Sequence, residues 1–510
     1  MLALSAAKGS DSKAEFKAGF KAYREGDFDI ALGKWTPLAD DGAAEAQVNL
    51  GIMYAKGEGV EKNLGTAFGW YSKAAQSSHP KATFNVGVMY ENGQSVEQSY
   101  DEAMSWYKRA ANLGYGPACH AIGILYQRGK GVEHSNSDAV RWYLSAAEIN
   151  NVGGQFALGA MLEDGEGIVA DPVRAGELYN EAVRRGHLET HYRLGRFYEL
   201  GIGVNQDYHE AMRLYTEAAQ RNHLPSYFRI GVLNQNGLGT PRDEDKALSW
   251  FRQAADAEHA EAQCMVGKLY EAGRGVKKDD QKAARWYVLA AGQGDPGGCH
   301  ALGLAQEYGR GVSTSLEEAV ATYAKGASQN HGPCCYQLGL MYQKGRGVEE
   351  DTAWALELFI QGADAGYPPA QNNYGMMLLN GTMGVTQDNE RGCEYLGRAA
   401  EQNDHEACTN LGQVFLKGEG AEKDVDKAIY WFRHGAEQGF ASAQYYLALM
   451  YIQGQSVARD MVKAYMWLDL AVKQDSREAL KTRGLITKQL SPAEINEAEE
   501  RVANWKPTVP

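Results

Sequence analysis

The chain has 510 residues, of which 51 are Lys or Arg and 65 are Asp or Glu, so its formal net charge is −14 at pH 7. This acidic balance excludes a basic face for nucleic acid or for an anionic lipid surface, so we expect neither partner. With 44% hydrophobic and 23% charged residues the composition is that of a folded globular protein. The sequence contains no run of about 18 apolar residues, so it predicts no membrane-spanning helix.

The first elements in chain order are a flexible segment at residues 1–12 and a short helical hairpin at residues 13–42. Residues 2–7 are apolar, which is shorter than the apolar region of a secretory leader, and no basic residue precedes them. In the hairpin, aromatic residues from Phe16 to Trp35 follow helical spacing on both sides of a Glu-Gly-Asp turn. We expect this hairpin to cap the segment that follows.

The main part of the chain repeats the pattern Leu-Gly-x-x-Tyr-x-x-Gly-x-Gly-Val. Its first glycine recurs every 36 residues from Gly51 to Gly375, and Gly412 follows one residue late. Ala448 takes the same position in the twelfth unit. A fixed period of this length is typical of solenoids, in which one supersecondary unit stacks on the next.

Each unit is predicted as two helices, which we call helix A and helix B. In the first unit helix A covers about residues 43–55 and helix B residues 64–76, with apolar residues at helical spacing on each. Gly57 ends helix A, because glycine readily adopts a positive φ. We expect Gly51 of helix A to face Ala67 of helix B, so that the helix axes approach closely and aromatic side chains fill the space above and below.

The chain must bend again after each helix B, and this bend also favours a residue with positive φ. Glycine is predicted there at Gly42, Gly114, Gly186, Gly294, Gly366 and Gly439. Other units are predicted to place Asn151, His223, His259 and His331 in that position.

The predicted fold class is all-α, an α-solenoid of antiparallel helix pairs with about twelve repeats of 36 residues at residues 43–475. A lone helix pair cannot bury its second face, so the repeats must stack. Capping helices are predicted at residues 476–505, where Ser491 and Glu494 have the spacing of a capping box, and residues 506–510 form a tail.

On these motifs the chain resembles the Sel1-like repeat family, relatives of the tetratricopeptide repeat with a Gly-x-Gly-Val loop. The resemblance implies a non-enzymatic scaffold or adaptor that holds a partner protein or peptide. Residues 20–39, 464–468 and 490–494 resemble the ends of bacterial exported members, which implies a periplasmic or secreted protein in an envelope complex. A regulatory adaptor in the cytoplasm is the alternative.

One cysteine-rich branch of that family, described as β-lactamase-like, links each helix B to the next helix A by a disulfide across eight residues. The helix A positions of that pattern hold Cys119, Cys299, Cys335 and Cys408. The positions eight residues earlier hold Ala111, Ala291, Ala327 and Ala400, so the partners of these disulfides are missing. A β-lactamase-like or cell-wall-binding enzyme is therefore the least favoured function.

No motif in the chain predicts catalysis, a metal or a cofactor. The seven cysteines contain no C-x-x-C pair, and the neighbours Cys119 and His120 lack a second ligand pair at zinc spacing. We expect the cysteines to be small buried residues in helix contacts. The Gly-x-Gly-Val loops follow helices and precede no Gly-Lys-Ser/Thr, so they are not predicted to bind phosphate.

Three columns on helix A predict a binding groove, because positions four and three apart share a helix face. The first column carries rings at Phe84, His120, Phe156, Tyr192, Phe228, His300, Tyr336 and Tyr445, and residues without a ring at Val48, Cys264, Asn372 and Thr409. The second column includes Arg196 and Lys268, and the third includes Glu199 and Glu271. By analogy with tetratricopeptide domains helix A lines the concave side, so this groove would hold a peptide with apolar anchors and some basic residues. The alternative is that the rings pack against the preceding repeat and the carboxylates are a solvated face.

Overall fold

A computed structural model describes the backbone of residues 2–508 and the side chains of residues 12–508. In this part of the chain there are 28 α-helices and no strand. No helix within it combines the length and the apolar character needed to cross a membrane. The chain divides into two compact units, Met1–Asp243 and Glu244–Pro510, and the division falls between helix A and helix B of the sixth repeat.

The first unit contains thirteen helices. They are α1 (Leu2–Glu25), α2 (Phe28–Asp40), α3 (Ala44–Lys56), α4 (Leu64–Gln76), α5 (Pro80–Asn92), α6 (Tyr100–Asn112), α7 (Gly116–Arg128), α8 (Asn136–Glu148), α9 (Val152–Asp164), α10 (Pro172–Arg184), α11 (Leu188–Leu200), α12 (Tyr208–Ala219) and α13 (Leu224–Asn236).

The second unit contains fifteen helices. They are α14 (Glu244–Asp256), α15 (Ala260–Ala272), α16 (Asp280–Gly292), α17 (Pro296–Tyr308), α18 (Leu316–Ala327), α19 (Gly332–Gln343), α20 (Thr352–Asp364), α21 (Pro368–Asn380), α22 (Asn389–Glu401), α23 (His405–Lys417), α24 (Val425–Glu437), α25 (Ala441–Gln453), α26 (Met461–Val472), α27 (Arg477–Thr487) and α28 (Pro492–Asn504).

The predicted all-α solenoid is confirmed, with odd-numbered helices from α3 to α25 as helices A and even-numbered helices from α4 to α26 as helices B. Within each unit helix B packs on helix A of its own repeat and of the next repeat. Successive helices A also contact each other, as α7 does with α9 and α23 does with α25. This direct contact places helices A on the inner side of each stack. In each unit separately, we call the surface formed by the exposed side chains of its own helices A the helix-A surface. These helices are the odd-numbered ones from α3 to α13 in the first unit and from α15 to α25 in the second.

Helices lie at or near both ends of the described chain. The first, α1, begins at Leu2, and the flexible segment expected at residues 1–12 stays a prediction. At the other end the capping box is present, because the Ser491 side chain accepts from the Glu494 backbone and the Glu494 side chain accepts from the Ser491 backbone. In the predicted tail, the backbone N–H of Thr508 donates to the carbonyl of Glu437 at 2.8 Å.

Most glycines of the helix A column lie closest to a ring rather than to the predicted alanine, whereas Gly375 lies closest to the carbonyl oxygen of Gly392, in the predicted column. A Cβ built on Gly195 would lie 2.6 Å from Cε1 of Tyr215, which is four residues beyond the alanine column on helix B. Gly159 meets Tyr179 in the same way. Glycine is therefore needed where helix A lies flat against the helix B tyrosine, and the ring fills the contact itself.

The bend after helix B was predicted one residue too late in four units. The residues with positive φ are Asn150, Asn222, Glu258 and Asn330, at the same position as the glycines that turn in other repeats. The next residues, Asn151, His223, His259 and His331, have negative φ and are the N-caps of the following helices A. Their placement at the start of the next helix A determines which rings they contact.

Candidate functional site

The aromatic column of helix A packs inside its own repeat. Phe84 lies on the ring of Tyr107, with ring centroids 5.2 Å apart, and Tyr192 lies on Tyr215 at 5.8 Å. The equivalent pairs are His120 with Tyr143, Phe156 with Tyr179, His300 with Tyr323 and Tyr336 with Phe359. These column side chains are half-buried, so each of them contributes to holding helix A against helix B.

The N-cap residue of the next helix A covers the other side of many of these rings. The centroid of Phe156 lies 4.7 Å from His187, and that of Tyr192 lies 5.0 Å from His223. The same contact joins Phe84 to Tyr115, His300 to His331 and Tyr336 to Tyr367. The rings therefore seal the junction with the following repeat, rather than the preceding one. Their role in binding a partner stays a prediction.

The helix-A surface opens where this second ring is missing. The N-cap after His120 is Asn151, which has no ring, and the adjacent Gly153 has no side chain. A cleft of 390 Å³ lies at this point, lined by His120, Phe156 and His187 among others. Two of the predicted groove residues, His120 and Phe156, thus line one cleft in the first unit.

In six of the repeats the third column, which holds Glu or Gln, accepts a hydrogen bond from a tyrosine on helix B of the same repeat. The hydroxyl of Tyr215 donates to Glu199 at 2.6 Å, and the hydroxyl of Tyr287 donates to Glu271 at 2.7 Å. The same bond joins Tyr107 to Glu91, Tyr143 to Gln127, Tyr179 to Glu163 and Tyr323 to Glu307. Burial, and then the hydrogen bond to Glu199, raises the pKa of Tyr215, so the hydroxyl stays protonated and remains a donor.

Arginines of the following repeat complete some of these sites. Arg229 pairs with Glu199, with 3.0 Å between its Nε and the carboxylate, and Arg346 pairs with Glu307 at 2.7 Å. Glu199 is 7% exposed, so its carboxylate faces the protein and not a solvated surface. Glu271 is half-buried and is contacted by Arg310 at 3.3 Å.

The remaining predicted groove residues differ in exposure. Arg196 and Lys268 are exposed on the helix-A surface. Phe228 is 5% exposed, so its ring is part of the packing. The structure thus leaves the two cations accessible, and it places Phe228 and Glu199 inside the repeat stack.

A cleft that the sequence analysis missed lies on the helix-A surface of the last repeats. It has a volume of 510 Å³, and we call it the C-terminal cleft; it is lined by Glu406, Thr409, Asn410, Gln413, Ser442, Tyr445, Tyr446, Ser476 and Glu478. The N-cap that follows Tyr445 is Ser476, which has no ring. The column position before Tyr445 holds Thr409, which is also too small to fill the space. The cleft thus has the same origin as the one beside His120.

The walls of the C-terminal cleft are rings, amides and carboxylates. Tyr446 stacks on Phe432 with ring centroids 5.1 Å apart, and Tyr445 lies edge-on to Tyr446 at 5.4 Å. Burial raises the pKa of Tyr446, and the nearby Tyr445 and Glu478 add to the rise, so the hydroxyl is a neutral donor. Among the side chains that the structure describes, no Lys or Arg lines this cleft.

A second cleft adjoins the first along the same surface. Its volume is 540 Å³, and Asn410 and Gln413 line both clefts. Asn410 donates to the side chain of Asn372 at 2.9 Å, and Asn372 in turn donates to Glu406 at 3.2 Å. Polar side chains in the ring column at Asn372 and Thr409 were the sequence signal for this region. That signal was missed because only rings were chosen as candidates from the column.

The cysteine thiols are buried in helix contacts, except that of Cys393, which is half-buried. All seven cysteines are free, and the Sγ of Cys335 donates to the carbonyl of Ala327, eight residues earlier, at 3.8 Å. Burial raises the pKa of Cys264 to about 11 and that of Cys408 to about 12, so both are thiols at neutral pH. Within residues 12–508, no group of three or more His, Cys, Asp or Glu side chains is arranged to hold a metal ion.

Comparison with known proteins identifies twelve consecutive Sel1 repeats. They match residues 44–79, 80–115, 116–151, 152–187, 188–223, 224–259, 260–295, 296–331, 332–367, 368–404, 405–440 and 441–476. The comparison with curated proteins gives no match.

Two solved structures are also similar to the chain. One is a protective antigen present in uropathogenic Escherichia coli strains and displaying an SLR fold, with a TM-score of 0.56, 29% identity, and coverage of 86% of this chain and 94% of that one. The other is a Sel1 repeat protein from Oxalobacter formigenes, with 30% identity, a TM-score of 0.44, and coverage of 48% of this chain and 99% of that one. Sel1 repeat proteins are generally protein-interaction scaffolds, and their fold is typically non-catalytic. Because the repeats run without a gap over residues 44–476, the chain belongs to the Sel1 repeat family.

Proposed function

We propose that this chain is a non-enzymatic scaffold that holds a partner protein or peptide against its helix-A surface. The observation that carries this proposal is that the helix-A surface of each unit has both sealed ring pairs and an open cleft, of 390 Å³ in the first unit and 510 Å³ in the second. The sealed junctions keep the repeats rigid, and the clefts leave side chains accessible to a ligand. Repeat solenoids bind through many modest contacts spread along such a surface.

Arg196 and Lys268 are the predicted contact residues that are best suited to an experiment. Both are exposed, so their replacement leaves the ring pairs and the buried carboxylates in place. Reversing their charge changes how the surface attracts a charged partner, and this acts on association more than on the fold. Lys108 on α6 offers a matched control, because it is an exposed cation on a helix B.

The test compares capture of one identified partner by the full chain and its variants. The partner is first identified by mass spectrometry after capture from a native extract, and is then purified so that its Kd can be measured. We expect Arg196→Glu or Lys268→Glu to change its Kd and Lys108→Glu to leave the Kd unchanged. An equal change in all three variants, or a change in Lys108→Glu alone, would contradict binding at the helix-A surface.

We further propose that the partner belongs to a bacterial envelope complex. The support is the resemblance of both terminal segments to exported bacterial family members. The alternative, a regulatory adaptor in the cytoplasm, is favoured by the seven free thiols, because reducing compartments keep cysteines unpaired. Fractionation of the native cell with protease protection decides between them, since an envelope protein is degraded once the outer barrier is opened and a cytoplasmic one is not.

A further inference from the structure

We propose that the C-terminal cleft binds an arginine side chain from an extended segment of the partner. This inference rests on the proposed scaffold function and adds to it the chemical class of the bound group. It draws on three features of the cleft, which are its charge, its rings and its amides.

The charge of the cleft favours a cation. Glu406 on α23 and Glu478 on α27 line it from two different helices, and both residues are exposed. No Lys or Arg among the described lining residues neutralises them. A guanidinium can donate two parallel hydrogen bonds to one carboxylate, whereas an acidic ligand would meet two like charges.

The rings offer a second contact for the same group. Tyr445 and Tyr446 line the cleft together, and stacking on Phe432 at 5.1 Å fixes the orientation of Tyr446. A planar guanidinium over a tyrosine face gains a cation–π interaction, and arginine is the cation that most often makes this contact. The carboxylates and the rings therefore select the same side chain.

The amides can hold the backbone of an extended segment. Asn410 and Gln413 line both the C-terminal cleft and the adjoining cleft of 540 Å³, so they lie where a chain leaving one cleft would enter the other. A side-chain amide has both donors and an acceptor, as a peptide backbone does, so it can pair with a main chain of any sequence. A volume of 510 Å³ is within the usual range for a small-ligand site, which suits one long side chain and its backbone.

The probe for the experiment is N-acetyl-arginine methylamide, and its matched control is the citrulline analogue, which keeps the shape and removes the charge. Saturation-transfer difference NMR with the full chain measures both, because it detects weak ligands. We expect the arginine probe to give a signal and the citrulline analogue to bind about fivefold more weakly, the loss of roughly one charge-assisted contact.

Protein variants test whether the arginine probe binds in the C-terminal cleft. Glu406→Gln and Glu478→Gln should each reduce the arginine signal, and the matched change Glu422→Gln, at an exposed loop residue outside the cleft, should not. Because both cleft glutamates are exposed, unchanged thermal unfolding of the variants is the expected control result. Equal signals from arginine and citrulline, or an arginine signal that survives both cleft substitutions, would overturn the proposal.

Failure of this inference is distinguishable from failure of the scaffold function. If the identified partner binds the helix-A surface while the arginine probe gives no signal, the scaffold stands and the arginine site falls. If charge reversal at Arg196 and Lys268 has no effect while the probe binds the cleft, the site stands and the wider binding surface falls.

Discussion

The hydroxyl of Tyr215 on α12 donates a 2.6 Å hydrogen bond to the carboxylate of Glu199 on α11, and Arg229 of the following repeat contacts the same carboxylate. One carboxylate therefore joins both helices of the fifth repeat to helix A of the sixth. Glu199 is 7% exposed, so these partners replace the water that its charge would otherwise need.

Removing the Tyr215 hydroxyl should destabilise the protein. Tyr215→Phe keeps the ring and deletes one donor to a buried charge, so we expect a loss of about 1–3 kcal/mol in the free energy of unfolding. Urea unfolding followed by circular dichroism measures it. The control is Tyr430→Phe, at a tyrosine that is 59% exposed, which should change stability by less than about 0.5 kcal/mol. Equal effects at both positions would show that the Glu199 contact contributes nothing.

Two glycines of the first repeat should respond in opposite directions to alanine. A Cβ at Gly51 would overlap the ring of Tyr71, whereas a Cβ at Gly69 on the exposed side of α4 meets nothing within 4 Å. We expect Gly51→Ala to destabilise by about 1–3 kcal/mol through overpacking. Gly69→Ala should stabilise by up to about 1 kcal/mol through helix propensity. Unfolding midpoints of the two variants check both signs, and a stabilised Gly51→Ala would show that the ring moves aside freely.

The sequence predicted the repeat and the helices well, because a period of 36 residues fixes the position of every element at once. Helix B of the first repeat begins and ends as predicted, at Leu64–Gln76, and the Ser491 capping box is present. The residue predicted to face the glycine was wrong in most repeats, and right at Gly375, which meets Gly392. Spacing along one helix does not reveal which residue of the facing helix lies opposite, and here that residue is the tyrosine one turn beyond the alanine column.

The candidate site was predictable only as a column of positions. Helical spacing placed Tyr192 and Glu199 on one face of helix A. It did not reveal that the ring of His223 would cover Tyr192, or that the hydroxyl of Tyr215 would donate to the carboxylate of Glu199. Those partners come from the N-cap of the next helix A and from the facing helix B. The same limit hid the C-terminal cleft, where the N-cap is Ser476 instead of the ring that many other repeats have.

Packing and accessibility on helix A can be separated by one pair of substitutions. Tyr192→Ala removes a ring held between Tyr215 and His223, at 5.8 and 5.0 Å, so we expect it to cost about 2–4 kcal/mol of stability. Arg196→Ala, one turn away on the same helix and exposed, should stay within about 0.5 kcal/mol of the unchanged protein. Calorimetric unfolding of both variants measures this. A Tyr192→Ala protein of unchanged stability would mean that the ring is free for a partner.

The protein should lose stability in mild acid. Burial, and to a smaller extent the neighbouring His331 and Lys268, lower the pKa of His300 to about 4. The unfolded chain, with an ordinary histidine pKa near 6.5, takes up the proton first, so acid favours unfolding. The contribution of His300 is fully present above about pH 6.5 and is lost as the pH falls toward 4.

A phenylalanine at this position tests that assignment. The ring column already holds Phe84 and Phe156, and the buried Nε2 of His300 has no hydrogen-bond partner among the described atoms. His300→Phe should therefore reduce the fall in unfolding free energy between pH 7 and pH 4 by about 1–2 kcal/mol, less than the full shift because the side chain is partly exposed. The exposed His209, changed to Gln, should leave the slope unchanged; an unaltered slope in His300→Phe would assign the acid sensitivity elsewhere.

Native thiols should react slowly. Six of the seven cysteines are buried, and burial raises the pKa of Cys335 to about 11, so almost no thiolate is present at pH 8. Titration with a disulfide reagent should release little product from the folded chain, the first of it from the half-buried Cys393, and seven equivalents after denaturation. Rapid reaction of several thiols in the folded chain would contradict the packing.

Since the N-cap of the next helix A completes the ring contact in many repeats, a helix pair does not finish its own packing. A pair copied without the N-cap that follows it would therefore leave its ring uncovered. Tyr445 is in this position, because the N-cap after it is Ser476, which has no ring. The resulting opening gives up some contact between neighbouring elements, and in exchange it leaves polar and aromatic side chains within reach of another molecule.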